Sequence, residues 1–412
     1  MSRSWLSISL VVGALILGAI TGLYSGAWVL NLFPVSKLLI QLIKASATPL
    51  VFFAVLEAVL QHRIATRDFS KLLVVVLLNA SIAIALGITI ANLFQPGESL
   101  KFLHNDHSVK ALAVPDLGAL LQKQVPSSFV QPFADNDILA TVVLALLLAL
   151  AWRRIQKQNS VAAPLLAQGS AWVSIARELS ELMLTWIVKL VPIAVFVASA
   201  KITHEHGLAP FKGLSQYVAL CLLGMLAHAL ITYSAWLALF ARVSWLKFWR
   251  HAAHPILYAI GVNSSLVALP LTLQALDKLG VSRRASTLTA CIGTNLNNDG
   301  IILYEGFTLL ALAQAFGIHM SLGSQVIAGL YCIIAAMGVA GIPEAGVVAL
   351  TLVLSNFGLP TEALAVLLSV DWLIARSRSA LNVSADMVGA VILQRWIKTP
   401  SVGSHQVAQE RS

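Results

Sequence analysis

Apolar runs that cross or nearly cross a bilayer recur along this sequence, at residues 5–32, 35–60, 72–94, 138–152, 182–200 and 217–240. A hydrocarbon core of about 30 Å takes roughly 20 apolar residues wound as a helix. Inside that core the chain must satisfy its own backbone N–H and C=O groups, which an α-helix does. The expected fold class is therefore an all-α polytopic membrane protein. Composition agrees, with 58% hydrophobic residues, 11% charged residues and a mean hydropathy of +0.83, outside the range of soluble domains. The net charge of +9 does not point to nucleic acid, because Lys and Arg sit in short loops between apolar runs. Cys221, Cys291 and Cys332 all lie inside apolar stretches, which suggests neither a disulfide framework nor a metal site.

The basic residues order the chain across the membrane. A short start, Met1-Ser-Arg3, precedes the first run, which is longer than a signal-peptide core and is followed at once by further spans. It reads as a retained helix starting in the cytoplasm. Arg63, Arg67 and Lys71 mark a cytoplasmic connection, as do Arg153, Arg154 and Lys157, and then Arg242, Lys247, Arg250 and His251. Residues 95–137 are loop-like, with Pro96, Gly97, Pro115, Pro126 and Pro132, and belong on the periplasmic side. Within the run at 182–200, Lys189 is expected to snorkel and Pro192 to kink the helix.

The second half departs from simple spans. The apolar run 255–276 is interrupted by Asn263-Ser-Ser265, with Pro270 just beyond, and the run 326–354 by Gly338-Val-Ala-Gly341-Ile-Pro343-Glu-Ala-Gly346. Each fits two short arms meeting at a tip, a hairpin tolerated at membrane depth only where it faces protein or water. Each is followed by a helix with polar residues, at 288–312 and 364–393. The first carries Asn295-Leu-Asn-Asn-Asp-Gly300, where Gly300 is expected to break the helix and free carbonyls for a ligand. The second places Asp371, Ala375, Arg378, Asn382 and Asp386 at spacings that share one helical face, with Ser379 beside them. A carboxylate near the bilayer centre costs roughly 3 kcal/mol, so these residues mark a functional site by default. Two hairpin-plus-helix units suggest an inverted repeat with its site at the midplane.

These motifs resemble the dicarboxylate/amino acid:cation symporters, which include glutamate transporters and archaeal aspartate transporters. Asn297-Asn-Asp-Gly-Ile301 is similar to the family's Asn-Met-Asp-Gly-Thr motif, and Ser264-Ser265 to the serine-rich tip of its first hairpin. Ala340-Gly-Ile-Pro-Glu-Ala-Gly346 is similar to the second tip, and the stripe from Asp371 to Asp386 to the last helix. The resemblance implies about eight transmembrane helices, two re-entrant hairpins and a homotrimer of elevator carriers in the cell inner membrane, with both termini cytoplasmic. It divides the chain into scaffold spans (1–70), a third span of the transport domain (71–96), and a segment of periplasmic loop, fourth span and cytoplasmic connection (97–180). A fifth, scaffold span (181–204) and a sixth, transport-domain span (205–244) lead to hairpin 1 (245–286) and the seventh span (287–316). Hairpin 2 (317–358), the eighth span (359–396) and a cytoplasmic tail (397–412) complete it.

The resemblance also implies roles. Arg378 is similar to the arginine that holds the substrate's distal carboxylate, for which a planar fork of donors suits. Ser265, Asn382, Ser379, Asp371, Arg376 and the backbone around Ile342 and Gly346 complete the implied substrate site. Gly293, Asn297, Asn382 and Asp386 resemble one sodium site, Asp299 resembles a ligand of another, and of the family's cation site on the third span only Asn79 could still coordinate. Glu305 stands where animal glutamate transporters carry a proton-coupling glutamate. The departures are informative. Ala375 replaces the aspartate that binds a substrate ammonium, which favours a C4-dicarboxylate over an α-amino acid. Ile301 replaces a threonine, Asn263 a hairpin arginine, and Val76, Asn79, Ala80 and Ala336 replace cation-site residues, while Glu344 has no counterpart. The expected function is symport of an acidic small molecule with Na+ and/or H+, without a cofactor. An amino acid symporter and a gated anion channel are the alternatives. An intramembrane enzyme is disfavoured, because no nucleophile–base pair accompanies Asp299 and Asp371.

Overall fold

The computed structural model describes residues 3–24, 27–61, 66–103, 126, 128–158, 163–339, 345–360 and 363–397, and no strand occurs among them. Its helices are α1 (Arg3–Tyr24), α2 (Phe33–Gln61), α3 (Thr66–Phe94), α4 (Ile138–Gln158), α5 (Ala163–Val188), α6 (Val191–His206) and α7 (Ala209–Ala227). They continue as α8 (Trp245–Val262), α9 (Leu269–Lys278), α10 (Asp299–Ala315), α11 (Leu322–Gly338), α12 (Ala345–Asn356) and α13 (Ala363–Trp396). By length and composition, three segments of the described residues can cross a membrane: Ser70–Phe94, Pro164–His206 and Ala209–Ala241.

Local chemistry sets the breaks. Pro192 opens α6 and separates it from α5 at a turn around Leu190, so the expected kink is a full interruption. Helix α5 also begins well before residue 182, inside what the sequence marks as a connection. Its polar residues hide it from a hydropathy reading, yet Arg177 is satisfied by Glu57 of α2 at 2.5 Å and by Glu181 one turn on at 2.6 Å. The first apolar run is likewise divided, with α1 ending at Tyr24 and a 3-10 helix following at Ala27–Leu32.

Both interrupted runs form paired arms. Helix α8 ends at Asn263, which adopts the left-handed conformation (φ 53°), and α9 restarts on Pro270 and packs against α8. Helix α11 opens on Ser321, whose Oγ accepts from the Ser324 N–H at 3.2 Å, and it packs against α12. At 1.5 Å per residue, the 10-residue α9 and 12-residue α12 reach only about 15 and 18 Å, too short to cross a bilayer alone. The tip of the second pair, including Ile342, Pro343 and Glu344, lies outside the described residues.

Burial separates centre from periphery. Every residue of α10 except Gln314 is buried, as expected of a helix enclosed by others on all sides. Around it pack α3, α7, α11, α12 and α13, sharing the main apolar cluster with Ile302, Phe307, Leu350, Ile374 and Val388. Helices α1, α2, α4, α5 and α6 pack mainly on one another and expose Leu17, Leu38, Leu147, Trp172 and Trp186. Exposed apolar residues of that size suit a lipid-facing rim.

Candidate substrate and cation site

The polar stripe of α13 faces inward. Asp371, Arg378, Asn382 and Asp386 are all buried, and the first three line one cavity of about 860 Å³. The same cavity is bounded by Ser265, Gly346, Ala375, Arg376 and Ser379, with Asn263 and Asn298. Eight of the nine residues expected at the substrate therefore share one space, while Ile342 falls outside the described residues.

Arg378 is held on three sides. Its Nη1 and Nη2 donate to Asp371 Oδ1 and Oδ2 at 2.7 and 3.0 Å, a two-pronged ion pair along one helical face. Its guanidinium carbon lies 4.3 Å from the centre of the Tyr304 ring, a cation–π contact. Gly346 closes the third side, where a Cβ would come within 2.6 Å of the guanidinium carbon. Asp371 thus orients the arginine as well as lining the cavity. Arg376 donates to the Trp372 carbonyl at 2.7 Å, and Ser379 donates to Asn263 Oδ1 at 3.3 Å, which ties the first tip to α13.

Ahead of α10 the chain is irregular. A π turn at Thr287–Ile292 and a 3-10 turn at Gly293–Asn295 lead to Asn298, and only then does α10 begin. The break precedes Gly300, which sits in the first turn of α10 and does not cause it. Gly300 serves close approach instead. A Cβ there would lie 2.6 Å from the Arg378 carbonyl oxygen, and its N–H donates to Asn382 Oδ1 at 2.8 Å. Asn382 Nδ2 in turn donates to Asn298 Oδ1 at 3.3 Å, and Asn298 Nδ2 to the Ala336 carbonyl of α11 at 3.3 Å.

The expected cation ligands fall into two groups. Asp386 accepts from Asn297 Nδ2 at a long 3.5 Å, next to Thr294 and the irregular backbone. The Gly293 carbonyl there already accepts from the Leu296 and Asn297 N–H groups at 2.7 and 2.8 Å. Asp299 belongs to another cluster with Asn79, His228 and Tyr233. Glu305 is fully buried on α10, and neither carboxyl oxygen has a hydrogen-bond partner among the described residues. It does not line the cavity.

Three contributors escape the sequence reading. Tyr304 carries no signal in an apolar helix, because its role depends on which face meets Arg378. His228 and Tyr233 sit in the sixth apolar run, and an ionisable residue at that depth is itself a signal. Lys189, expected to snorkel, is exposed and also borders the cavity, with Glu181 and Thr185 of α5.

Comparison with known sequences adds the lineage. The family model described as the sodium:dicarboxylate symporter family matches residues 8–396. A proton/sodium-glutamate symport protein of Bacillus subtilis is 26% identical over 410 residues, covering 95% of this chain and 92% of that protein. A proton/glutamate-aspartate symporter of Escherichia coli is 25% identical over 414 residues, covering 94% and 92%. A C4-dicarboxylate transport protein of Xanthomonas campestris is 25% identical over 401 residues, covering 94% and 87%.

Proposed function

We propose, taking as premise that this chain belongs to the sodium:dicarboxylate symporter family, that it imports a C4-dicarboxylate together with sodium, protons or both. The observation that carries the choice of substrate is the pairing of Arg378 with a neutral neighbour at Ala375 in one cavity wall. The lining holds three cationic residues, Lys189, Arg376 and Arg378, against two acidic ones, Glu181 and Asp371. Both acids are already engaged, Glu181 by Arg177 and Asp371 by Arg378. An ammonium group would therefore enter without a carboxylate of its own and pay its desolvation unpaired, whereas a second substrate carboxylate meets a cationic surface. Ser265 and Asn382 supply neutral polar groups for that second carboxylate.

In this reading a cation binds beside Asp386, whose hydrogen bond from Asn297 is long at 3.5 Å, among Asn297, Asn382 and the irregular backbone segment around Gly293. Oxygen ligands of that kind suit a hard cation. Glu305 supplies proton coupling: no partner pins its charge, so its protonation can follow the opening and closing of the neighbouring helices. The packing of α1, α2, α4, α5 and α6 apart from α3 and α7–α13 supports a scaffold and a moving transport domain. We extend the reading to an elevator motion, a homotrimer and cytoplasmic placement of both termini, for which the resemblance to the family is the support.

Binding to the purified protein tests the substrate. Succinate should raise the thermal unfolding midpoint in the presence of sodium or at acid pH, aspartate should raise it less, and Arg378→Ala should abolish both effects. Stabilisation by aspartate alone would reject the dicarboxylate reading.

A further inference from the structure

Asp299 is fully buried, and its carboxylate is met by donors from two helices. Asn79 Nδ2 of α3 donates to Oδ2, the Tyr233 hydroxyl donates to the same oxygen at 2.8 Å, and His228 Nε2 lies 3.2 Å from it. The Tyr233 hydroxyl also lies 3.3 Å from the Leu381 carbonyl of α13, the longer of two contacts that compete for its single hydrogen.

The arrangement depends on a local change of helix type. His228 and Tyr233 are five residues apart, a spacing that an α-helix of 3.6 residues per turn would splay by about 140°. Here the chain from His228 to Thr232 is a π turn, and the Tyr233 N–H bonds the His228 carbonyl. Residues i and i+5 then stack on one face, and the two rings lie 4.9 Å apart, edge to face. Single π turns inside α-helices mark functional positions. The sequence spends a distortion of the sixth span to aim both groups at one carboxylate.

We propose that Asn79, His228 and Tyr233 form a donor cradle that holds Asp299 in place of a co-transported cation, leaving the Asp386 side as the cation site. This rests on the reading that cations drive the carrier. A bound cation needs oxygens turned toward it, about six for a hard ion. Around Asp299 the Tyr233 hydroxyl, the Asn79 amide and the His228 ring all turn hydrogens toward Oδ2 instead. Two buried side-chain oxygens remain without a partner there, Asp299 Oδ1 and Asn79 Oδ1. The cradle requires the tautomer in which His228 Nε2 carries the hydrogen. Asp386 is the contrast, with a long 3.5 Å contact to Asn297 beside the irregular segment at Gly293–Asn295.

Thermal unfolding of the purified full-length protein, titrated with sodium chloride against choline chloride and without substrate, tests this. The sodium-dependent rise in midpoint should persist in Asp299→Asn with a half-saturating concentration within about twofold of wild type. Asp386→Asn should abolish it. Opening the cradle with His228→Ala and Tyr233→Phe together should add a second, steeper sodium dependence that a further Asp299→Asn removes. Loss of the sodium response in Asp299→Asn alone would overturn the proposal. Should wild type show no sodium response, the assignment of sodium to Asp386 fails, and the cradle stands only if the opened variant acquires a response that depends on Asp299.

Discussion

Arg378 and Ala375 lie one helical turn apart in the cavity wall, and the proposed choice of a dicarboxylate rests on the two together. Asp371 takes two of the five guanidinium donors and fixes the plane of the group, so replacing arginine with lysine keeps the charge and loses the geometry. Arg378→Lys is expected to lower succinate uptake by at least tenfold with folding intact by size-exclusion profile. Ala375→Asp adds a carboxylate to the same wall. It should depress succinate uptake by a similar factor and raise aspartate uptake above wild type; unchanged selectivity would remove Ala375 from the account. Much of this face is legible in the sequence, because spacings of four, three, four and four residues align on a helix whatever surrounds it. What the spacing does not carry is partnership. Asp371 looks like a substrate ligand in the sequence, and the structure shows it already engaged by Arg378. Tyr304, His228 and Tyr233 stay hidden for the same reason, since their roles depend on which helices meet and on a π turn that no periodicity announces.

At the scale of elements, close contacts between α10, α12 and α13 hold the site. Gly300 lets α10 approach the backbone of α13, where a methyl group would meet the Arg378 carbonyl oxygen at 2.6 Å. Backbone cannot move aside as a flexible side chain can. Gly300→Ala is therefore expected to cost about 1–3 kcal/mol, seen as a lower unfolding midpoint even without ligand. Gly346 meets the guanidinium of Arg378 instead, a side-chain end rather than backbone, so Gly346→Ala should lower the midpoint less than Gly300→Ala and weaken succinate binding by displacing the guanidinium from Asp371. Far from the cavity, Arg284 pairs with Asp68, Lys71 bonds the Trp396 carbonyl, and Ser282 bonds Gln394, tying the start of α3 and the end of the first hairpin to the last helix. Elements with long apolar runs, such as α2 and α3, are visible in the sequence to within a few residues at most ends. Helix α5 is not, because hydropathy discounts Arg177, Glu178 and Glu181, whose charges are satisfied across the bundle and along the helix.

Over the whole molecule, two central helices, α10 and α13, carry buried polar groups inside apolar packing, with a rim of helices that exposes large hydrophobic side chains. That arrangement suits the proposed carrier, in which the substrate and its cation would stay inside one buried body while the rim stays with the lipid. Glu305 tests how the body is driven. Glu305→Gln should abolish uptake driven by a proton gradient and retain uptake driven by sodium, measured side by side in proteoliposomes. Each positive charge moved through 100 mV supplies about 2.3 kcal/mol, enough to concentrate a substrate roughly fiftyfold. The most direct test of the central claim is uptake of radiolabelled succinate and aspartate into proteoliposomes of the full-length protein, each with an imposed sodium gradient, an imposed proton gradient or none. The account predicts accumulation of succinate against its gradient when a cation gradient is imposed, loss of that accumulation in Arg378→Ala, and little accumulation of aspartate. Aspartate accumulation without succinate, or equilibration of either without accumulation, would contradict it.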